Sequence, residues 1–294
     1  MKPTMTTCDM RYWRIAPDPR LRGVVACYWA VDSEPIAARI EAQEPCEDLL
    51  IPDGLSEMVF NRGCAGFDRW QLGSPERRQL MGDSYLIGGR SHSVNTRADE
   101  PLSLAGVKLD SRFLRRIIRT PLAEFRDTTL SLRDLNDPQL LALEESVGNA
   151  RCLETIVGLF DNFFLAALRD LPPGRGAVDA LVERIHRDGG ATPIMGWARQ
   201  SGVDSRSLER SFCANVGMTP KQYARVIRFK RHYHALISGG GGKRSLSANL
   251  DGFYDQSHFN REFRHFTGVA PTTKLAGRMS QGMKVADHLL LVQA

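Results

Sequence analysis

Two stretches near the C-terminal end of the sequence repeat one pattern of residue types. Each begins with a glycine and an apolar residue, and each ends with a proline three positions after a second glycine. Between these marks the first stretch carries Leu208 and Phe212, and the second carries Phe259 and Phe263, at positions 51 residues later. Apolar residues four positions apart lie on one side of a helix, so each stretch is predicted to contain a helix with one buried face.

The opposite face of each predicted helix is polar. Its residues are Arg206, Glu209 and Arg210 in the first stretch and Gln256, Ser257, Asn260 and Arg261 in the second. Arg, Gln and Asn side chains carry the hydrogen-bonding groups that match the guanine and adenine edges in the major groove of DNA. A glycine turn followed by such a helix is typical of a helix-turn-helix unit. One copy is a weak indication, whereas two copies in register favour DNA binding.

Local signals fix where these helices begin. Gly202 and Gly252 can end the preceding helix in the left-handed conformation without a steric penalty. Ser205 and Asp255 are then expected to cap the second helix of each unit by accepting a hydrogen bond from a free backbone N–H. Residues 221–237 separate the two copies and form a mostly apolar stripe, which predicts a helical rod roughly 25 Å long. Such a rod could hold two recognition helices about one DNA turn, roughly 34 Å, apart.

Charge is distributed unevenly along the chain. Residues 176–278 contain 16 Lys and Arg against 8 Asp and Glu, a net charge of +8, whereas residues 1–175 have a net charge of −3. A basic segment beside an acidic one points to a polyanionic partner for the basic part.

The first part of the chain has a different character. From about residue 11 to residue 120, short apolar runs alternate with turn signals, which predicts many short strands in a barrel or sandwich. Residues 111–118 are expected to be helical, and residues 121–171 form a helical region with an apolar stripe from Leu153 to Ala167. That stripe either packs against the β-rich part or forms a homodimer seam. Residues 171–176 contain two prolines and read as a linker.

Several classes of protein are excluded by what the sequence lacks. None of the six cysteines forms a CxxC pair and no HExxH motif is present, so neither a metal site nor a cofactor is expected. Scattered cysteines fit a reducing cytoplasm. No run approaches the roughly 18 apolar residues of a membrane-spanning helix, and no signal peptide is recognisable at the N-terminus. No catalytic triad, carboxylate pair or phosphate loop stands out, so an enzyme is not expected.

Residues 176–277 resemble the AraC/XylS family of bacterial transcription regulators. The run from Gly252 to Arg264, followed by Gly268-Val269-Ala270-Pro271, is close to that family's signature. The resemblance implies two helix-turn-helix units joined by one long helix, entering adjacent major grooves on one face of double-stranded DNA. The implied DNA-binding residues are Arg206, Glu209, Arg210, Gln256, Ser257, His258, Asn260 and Arg261. The implied phosphate contacts are Arg199, Lys221 and Lys243.

Three features depart from the family pattern. Residues 239–242 are four glycines where the family has a tight turn, Ser247 stands where it has an aliphatic residue, and His232 stands where it has a small one. These changes are expected to weaken the core of the second unit and the strength of its base contacts, without changing its fold.

The first part of the chain resembles the cupin-like sensor domain of some members of this family. The matching features are the Trp29 strand, the Pro52-Asp53-Gly54 turn and Gly88-Gly89-Arg90. This implies a β-barrel able to hold a small effector, with Tyr28, Trp29, Arg90 and His92 as candidate pocket residues by residue type. His92 stands without the other metal ligands of metal-binding cupins, so cupin enzymology is not supported.

These observations combine into one prediction. The fold class is α+β, with an N-terminal β-rich cupin-like barrel over residues 1–120, a helical linker and possible dimerisation region over residues 121–171, and an all-α DNA-binding domain over residues 176–278. The predicted function is a cytoplasmic, sequence-specific transcription regulator that responds to a small-molecule effector. Its expected partners are operator DNA, the effector, a second copy of the chain and, for an activator, RNA polymerase, with no membrane.

Two other functions remain open. The chain could be a DNA-binding dimer without an effector. It could also be a DNA repair protein that transfers an alkyl group, in which case Cys64 is the only plausible reactive cysteine.

Overall fold

The computed structural model describes residues 10–33, 47–64, 66–76, 78–97, 102–170, 176–238, 253 and 255–271. Predictions that concern Gly252, the four glycines of residues 239–242, Lys243 and Ser247 lie outside these residues. So does most of the expected linker at residues 171–176.

Ten strands are found among the described residues, and they form two antiparallel sheets. The six-stranded sheet has the order β1-β2-β9-β4-β7-β10, and the four-stranded sheet has the order β3-β8-β5-β6. The strands are β1 (Met10–Ile15), β2 (Val25–Ser33), β3 (Glu47–Leu50), β4 (Ser56–Asn61), β5 (Gly66–Gln71), β6 (Arg78–Met81), β7 (Tyr85–Ile87), β8 (Val94–Arg97), β9 (Ser103–Leu109) and β10 (Thr129–Ser131).

Eight α-helices follow or flank the strands in the described part of the chain. They are α1 (Ser111–Ile118), α2 (Pro138–Asn149), α3 (Leu153–Arg169), α4 (Ala177–Arg187), α5 (Ile194–Gln200), α6 (Ser205–Val216), α7 (Pro220–Ser238) and α8 (Gln256–Thr267). The expected α+β class, with a β-rich first part and an all-α second part, is confirmed. The strands form two sheets rather than a single closed barrel.

The six-stranded sheet buries both of its faces. Since successive side chains of a strand point to opposite sides, Met58 and Phe60 face the helices while Val59 faces the second sheet. On the second side, the ring of Phe67 from β5 lies 6.3 Å from the ring of Tyr85. The N-terminal region (residues 10–170) therefore consists of a helical layer, the large sheet and the small sheet.

The apolar stripe of α3 packs within the chain. Phe160 and Phe164 are fully buried against the large sheet, where the ring of Tyr28 lies 5.1 Å from that of Phe160. The Tyr28 hydroxyl donates a hydrogen bond of 2.8 Å to Asp161 on the same helix. Of the two alternatives for this stripe, the intramolecular one is what the structure shows.

The two regions of the chain are packed together. Leu49 and Ile51, at the end of β3, belong to the same apolar cluster as Phe212 and Phe229 of the C-terminal region (residues 176–271). None of the helices within the described residues is both long and apolar enough to cross a membrane.

Candidate nucleic-acid interface

The first turn has the geometry that the sequence predicts. Gly202 adopts a φ of +65°, and the backbone N–H of Val203 donates a hydrogen bond of 3.0 Å to Ala198 at the end of α5. The side chain of Val203 packs against the core of the C-terminal region. The glycine thus lets the chain reverse, and the valine anchors the turn.

The cap of α6 differs from the prediction. Asp204, not Ser205, accepts the hydrogen bond from the backbone N–H of Ser207, at 2.7 Å. Asp204 has extended backbone angles, as an N-cap residue must, whereas Ser205 is already the first helical residue. The predicted cap therefore lies one residue C-terminal to the observed one.

Helix α6 separates apolar from polar residues as expected. Leu208 and Phe212 are buried, and the ring of Phe212 meets that of Tyr223 on α7 at 5.6 Å. The helix ends at Gly217, whose φ is +83°. On the other side, the three predicted DNA-binding residues are all exposed; they are Arg206, Glu209 and Arg210.

Helix α8 repeats this arrangement. Asp255 caps the helix by accepting a 2.7 Å hydrogen bond from the backbone N–H of His258, as the sequence predicts. Phe259 and Phe263 are buried, and Phe266 stacks on Phe229 of α7 at 4.4 Å. The helix ends at a left-handed glycine, Gly268, like its counterpart.

The polar side of α8 faces solvent. Gln256, Ser257 and Arg261 are exposed, while His258 and Asn260 are partly exposed. The amide of Gln256 donates a hydrogen bond of 3.1 Å to Asn260, so the two side chains are oriented together. The His258 ring packs edge-on against Phe253 at 5.4 Å, which places it at the border between the polar face and the core.

Helix α7 packs against both α6 and α8. The buried Tyr223 contacts Phe212 of α6, and the buried Phe229 contacts Phe266 of α8. Arg225 binds Glu262 of α8 through its guanidinium and also lies 5.2 Å from the centre of the Phe266 ring. These contacts fix the direction of α8 relative to the rod.

His232 is accommodated in the core of the second unit. Its Nδ1 lies 2.8 Å from the carbonyl oxygen of Arg228, and its ring meets those of Phe253 and Phe259 at 4.7 and 6.1 Å. Of the predicted phosphate contacts, Arg199 and Lys221 are exposed.

The four candidate effector residues are not brought together in one place. Tyr28 faces the helical layer, whereas Trp29, its neighbour on β2, faces the space between the sheets, with its indole packed over Gly106. Arg90 is buried and lies 3.9 Å from Glu57. His92 lies 3.3 Å from Asp127, and burial lowers its pKa despite that carboxylate.

Sequence reasoning missed a set of charged groups on the same side of the large sheet. Glu57 and Arg69 are buried, and Asp53 and Lys108 are partly buried. One signal was available: Glu57 stands inside the apolar run of β4, at an alternating position that faces the small sheet. Arg69 gave no such signal, because β5 is polar along much of its length.

Electrostatics couples these groups to the C-terminal region. Burial alone would raise the pKa of Asp53, but Lys108, Lys230 and Arg90 hold it well below its usual range. Lys108 donates to Asp53 at 2.7 Å, and Lys230, on α7, donates to the backbone carbonyl of Asp53 at 3.3 Å. A carboxylate of the β-rich region is therefore stabilised by the rod of the DNA-binding region.

The sequence also raised the questions of a metal site and of a reactive cysteine. No cluster of three His, Cys, Asp or Glu side chains that could hold a metal ion lies within the described ranges. Cys64 is buried, and its thiol lies 3.6 Å from the carbonyl of Gly66.

The turn at Gly202 with the capped helix α6, and the capped helix α8 with the same buried apolar face and exposed polar face, have the geometry of DNA-binding helix-turn-helix proteins. Comparison with known families agrees, since residues 197–276 match the profile described as "Helix-turn-helix domain". Residues 197–276 therefore contain a helix-turn-helix domain.

The N-terminal region matches a family of unknown function. Residues 13–131 match a profile described as "Domain of unknown function (DUF6597)". No protein of curated function matches the chain.

Solved structures similar to this chain include ToxT from Vibrio cholerae, at 13% identity, covering 78% of this chain and 94% of ToxT with a TM-score of 0.42. A second ToxT structure, with an unsaturated fatty acid bound, gives 12% identity, coverage of 78% and 90% and a TM-score of 0.42. The AraC-like transcriptional activator CuxR gives 14% identity, coverage of 76% and 77% and a TM-score of 0.25.

Proposed function

We propose that this protein is a transcription regulator of the AraC/XylS type, that it binds specific operator sequences through α6 and α8, and that a small molecule held by the N-terminal region controls this binding. Its proposed partners are promoter DNA, the effector, a second copy of the chain and, where it activates, RNA polymerase. It acts in the cytoplasm, without enzymatic activity.

One observation carries the DNA-reading part of the proposal. On both α6 and α8 the exposed side carries the Arg, Glu, Gln and Asn side chains, while the buried side packs onto α7. Helices positioned in this way by a shared rod can present their polar faces to successive grooves of one duplex.

Contacts between the two regions support control by an effector. Arg112 on α1 binds Asp179 on α4 at 2.9 Å, and Lys230 reaches the carbonyl of Asp53. Gly89, in the loop after β7, leaves too little room for a side chain because the end of α6 and Met218 lie against it. A ligand that moves strands or loops of the N-terminal region would therefore change how α6 and α7 are held.

The experiment starts with selection of operator DNA from a random pool by the full-length protein. Binding of the selected duplex and of a scrambled duplex is then measured by fluorescence anisotropy for the wild type and Arg210→Ala. Loss of a base contact is expected to cost roughly 1–3 kcal/mol, or about 5- to 150-fold in Kd, for the selected duplex.

Arg133→Ala serves as the matched control, since Arg133 is an exposed arginine of the N-terminal region, 3.6 Å from Asp83. It should leave Kd unchanged. Equal binding of both duplexes by the wild type, or an unchanged Kd for Arg210→Ala, would overturn the assignment of α6 as a reading helix.

A further inference from the structure

Two guanidinium groups are buried between the sheets of the N-terminal region. Arg69, on β5, is 7% exposed, and Arg90, which follows β7, is 4% exposed. Each carries a full positive charge in surroundings that include the buried side chains of Val59, Tyr85 and Ile87. A charge in such a place is costly unless an acceptor of opposite charge compensates for it.

The protein supplies little of that compensation. Within the described residues, Nη2 of Arg69 and Nη1 of Arg90 are buried and donate to no oxygen. Glu57 is the nearest carboxylate to Arg90, but the distance from Nη2 to Oε2 is 3.9 Å, too long for a hydrogen bond. Burial, together with the charge of Arg90, lowers the pKa of Arg69 to about 10.

The other carboxylates nearby are already engaged. Asp53 pairs with Lys108, and Asp127 accepts two hydrogen bonds from Ser91 and lies 3.9 Å from the guanidinium of Arg126. Among the described residues, Glu57 is therefore the carboxylate left near Arg69 and Arg90, and the cluster of these three residues has a net charge of +1. A singly charged anion would balance it.

Aromatic and aliphatic side chains lie on the same side of the large sheet as Glu57. The indole Nε1 of Trp29 is another buried donor without an acceptor among the described residues. The rings of Phe67 and Tyr85 lie in contact on the same side of the large sheet, together with Val31 and Leu104. Donors beside aromatic and aliphatic surface match a small molecule with an anionic end and an apolar body.

We propose that Arg69 and Arg90 bind the carboxylate of a small organic acid with an aromatic or aliphatic body, between the two sheets. Guanidinium groups form paired hydrogen bonds to carboxylates, and a monocarboxylate carries the charge that the cluster lacks. This inference rests on the proposed function, because it names the chemistry of the effector of the N-terminal region.

The first test compares acids with their uncharged analogues. The melting temperature of the full-length protein and its tryptophan fluorescence are measured with 3-phenylpropanoate and hexanoate, and with 3-phenylpropanamide and hexanamide, at equal ionic strength. At millimolar concentration the acids should raise the melting temperature and change the fluorescence, and the amides should not. Equal effects of acid and amide, or no effect of either acid, would overturn the proposal.

The second test does not depend on the choice of probe. A buried cation without a partner destabilises the protein when no ligand is bound. Arg69→Met should therefore raise the melting temperature in the absence of acid and abolish the increase in melting temperature that the acid causes. A lower melting temperature of Arg69→Met would show that Arg69 is structural and would contradict the proposal.

Arg62→Met is the matched control. Arg62 is also largely buried and its Nε has no acceptor among the described residues, but its guanidinium donates to the carbonyl of Ala150 at 3.1 Å and its charge is paired with Asp32 at 3.4 Å. Its replacement should lower the melting temperature and keep the shift with acid. Failure of the proposed function would appear separately, as wild-type protein that fails to select an operator while the acid-specific shift persists.

Discussion

The hydroxyl of Ser93, in the N-terminal region, donates a hydrogen bond to the backbone carbonyl of Phe266 in the last turn of α8. Ser93 is fully buried, and 173 residues separate the two in sequence. The last carbonyls of a helix have no partner within it, so Ser93 satisfies one that burial would otherwise leave unpaired. The C-terminal end of α8 is thus held by the β-rich region.

Ser93→Ala should destabilise the protein for this reason. A buried carbonyl without a partner costs about 1–3 kcal/mol, which should appear as a lower free energy of unfolding in urea. Ser146→Ala is the control, because Ser146 is exposed and bonds only to Ala142 within α2. Equal stabilities of the two variants would mean that the Ser93 contact contributes nothing.

Asp204 and Ser205 offer a direct comparison of two neighbouring positions. Asp204→Ala removes the cap of α6 and should lower the free energy of unfolding by about 0.5–2 kcal/mol. Ser205→Ala should change it by a few tenths of a kcal/mol at most, because alanine is a good helix former. Chemical denaturation of both variants measures this, and a larger loss for Ser205→Ala would restore the cap to Ser205.

Gly106 is expected to tolerate no side chain. A Cβ at this position would lie 2.3–2.6 Å from atoms of the Trp29 indole, so Gly106→Ala must displace that ring. Overpacking of this kind typically costs about 1–3 kcal/mol, and the emission of Trp29 should shift as well. Gly158→Ala, on α3 with no atom within 4 Å, should instead stabilise the protein by about 0.5–1 kcal/mol. A neutral Gly106→Ala would contradict the packing described.

Asp53 should give the protein a specific sensitivity to acid. Its pKa in the folded state lies below the unfolded value of about 3.9, so its stabilising contribution is fully present above that value and is lost as the pH falls through the folded-state pKa. Asp53→Asn should therefore be less stable than the wild type at pH 7, and the difference should shrink below pH of about 4. Denaturation curves across this range test it, with the exposed Asp83→Asn as control. A difference that is independent of pH would contradict the role assigned to the charge.

Local patterns in the sequence predicted the DNA-binding region well. The spacing of Leu208 and Phe212, the left-handed Gly202 and the cap at Asp255 are properties of short segments, and the structure confirms them. The cap at Ser205 was wrong by one residue, because aspartate and serine side by side are both good caps and only the backbone angles distinguish them.

The N-terminal region was harder to predict in detail. Alternation in β2 implies that Tyr28 and Trp29 face opposite sides, yet residue type alone grouped them in one pocket. Arg69 was missed, because its burial depends on which strand of the large sheet covers β5 and not on its own neighbours in sequence.

The sequence by itself determined the turn before α6, the cap of α8 and the buried faces of both helices, since glycine turns, caps and apolar spacing act over a few residues. Only the tertiary structure decided that Arg69 and Arg90 are buried near each other, that Lys230 donates to the carbonyl of Asp53 and that Ser93 bonds to the end of α8. These contacts join residues far apart in the chain, and their energies arise from burial, which no local pattern records.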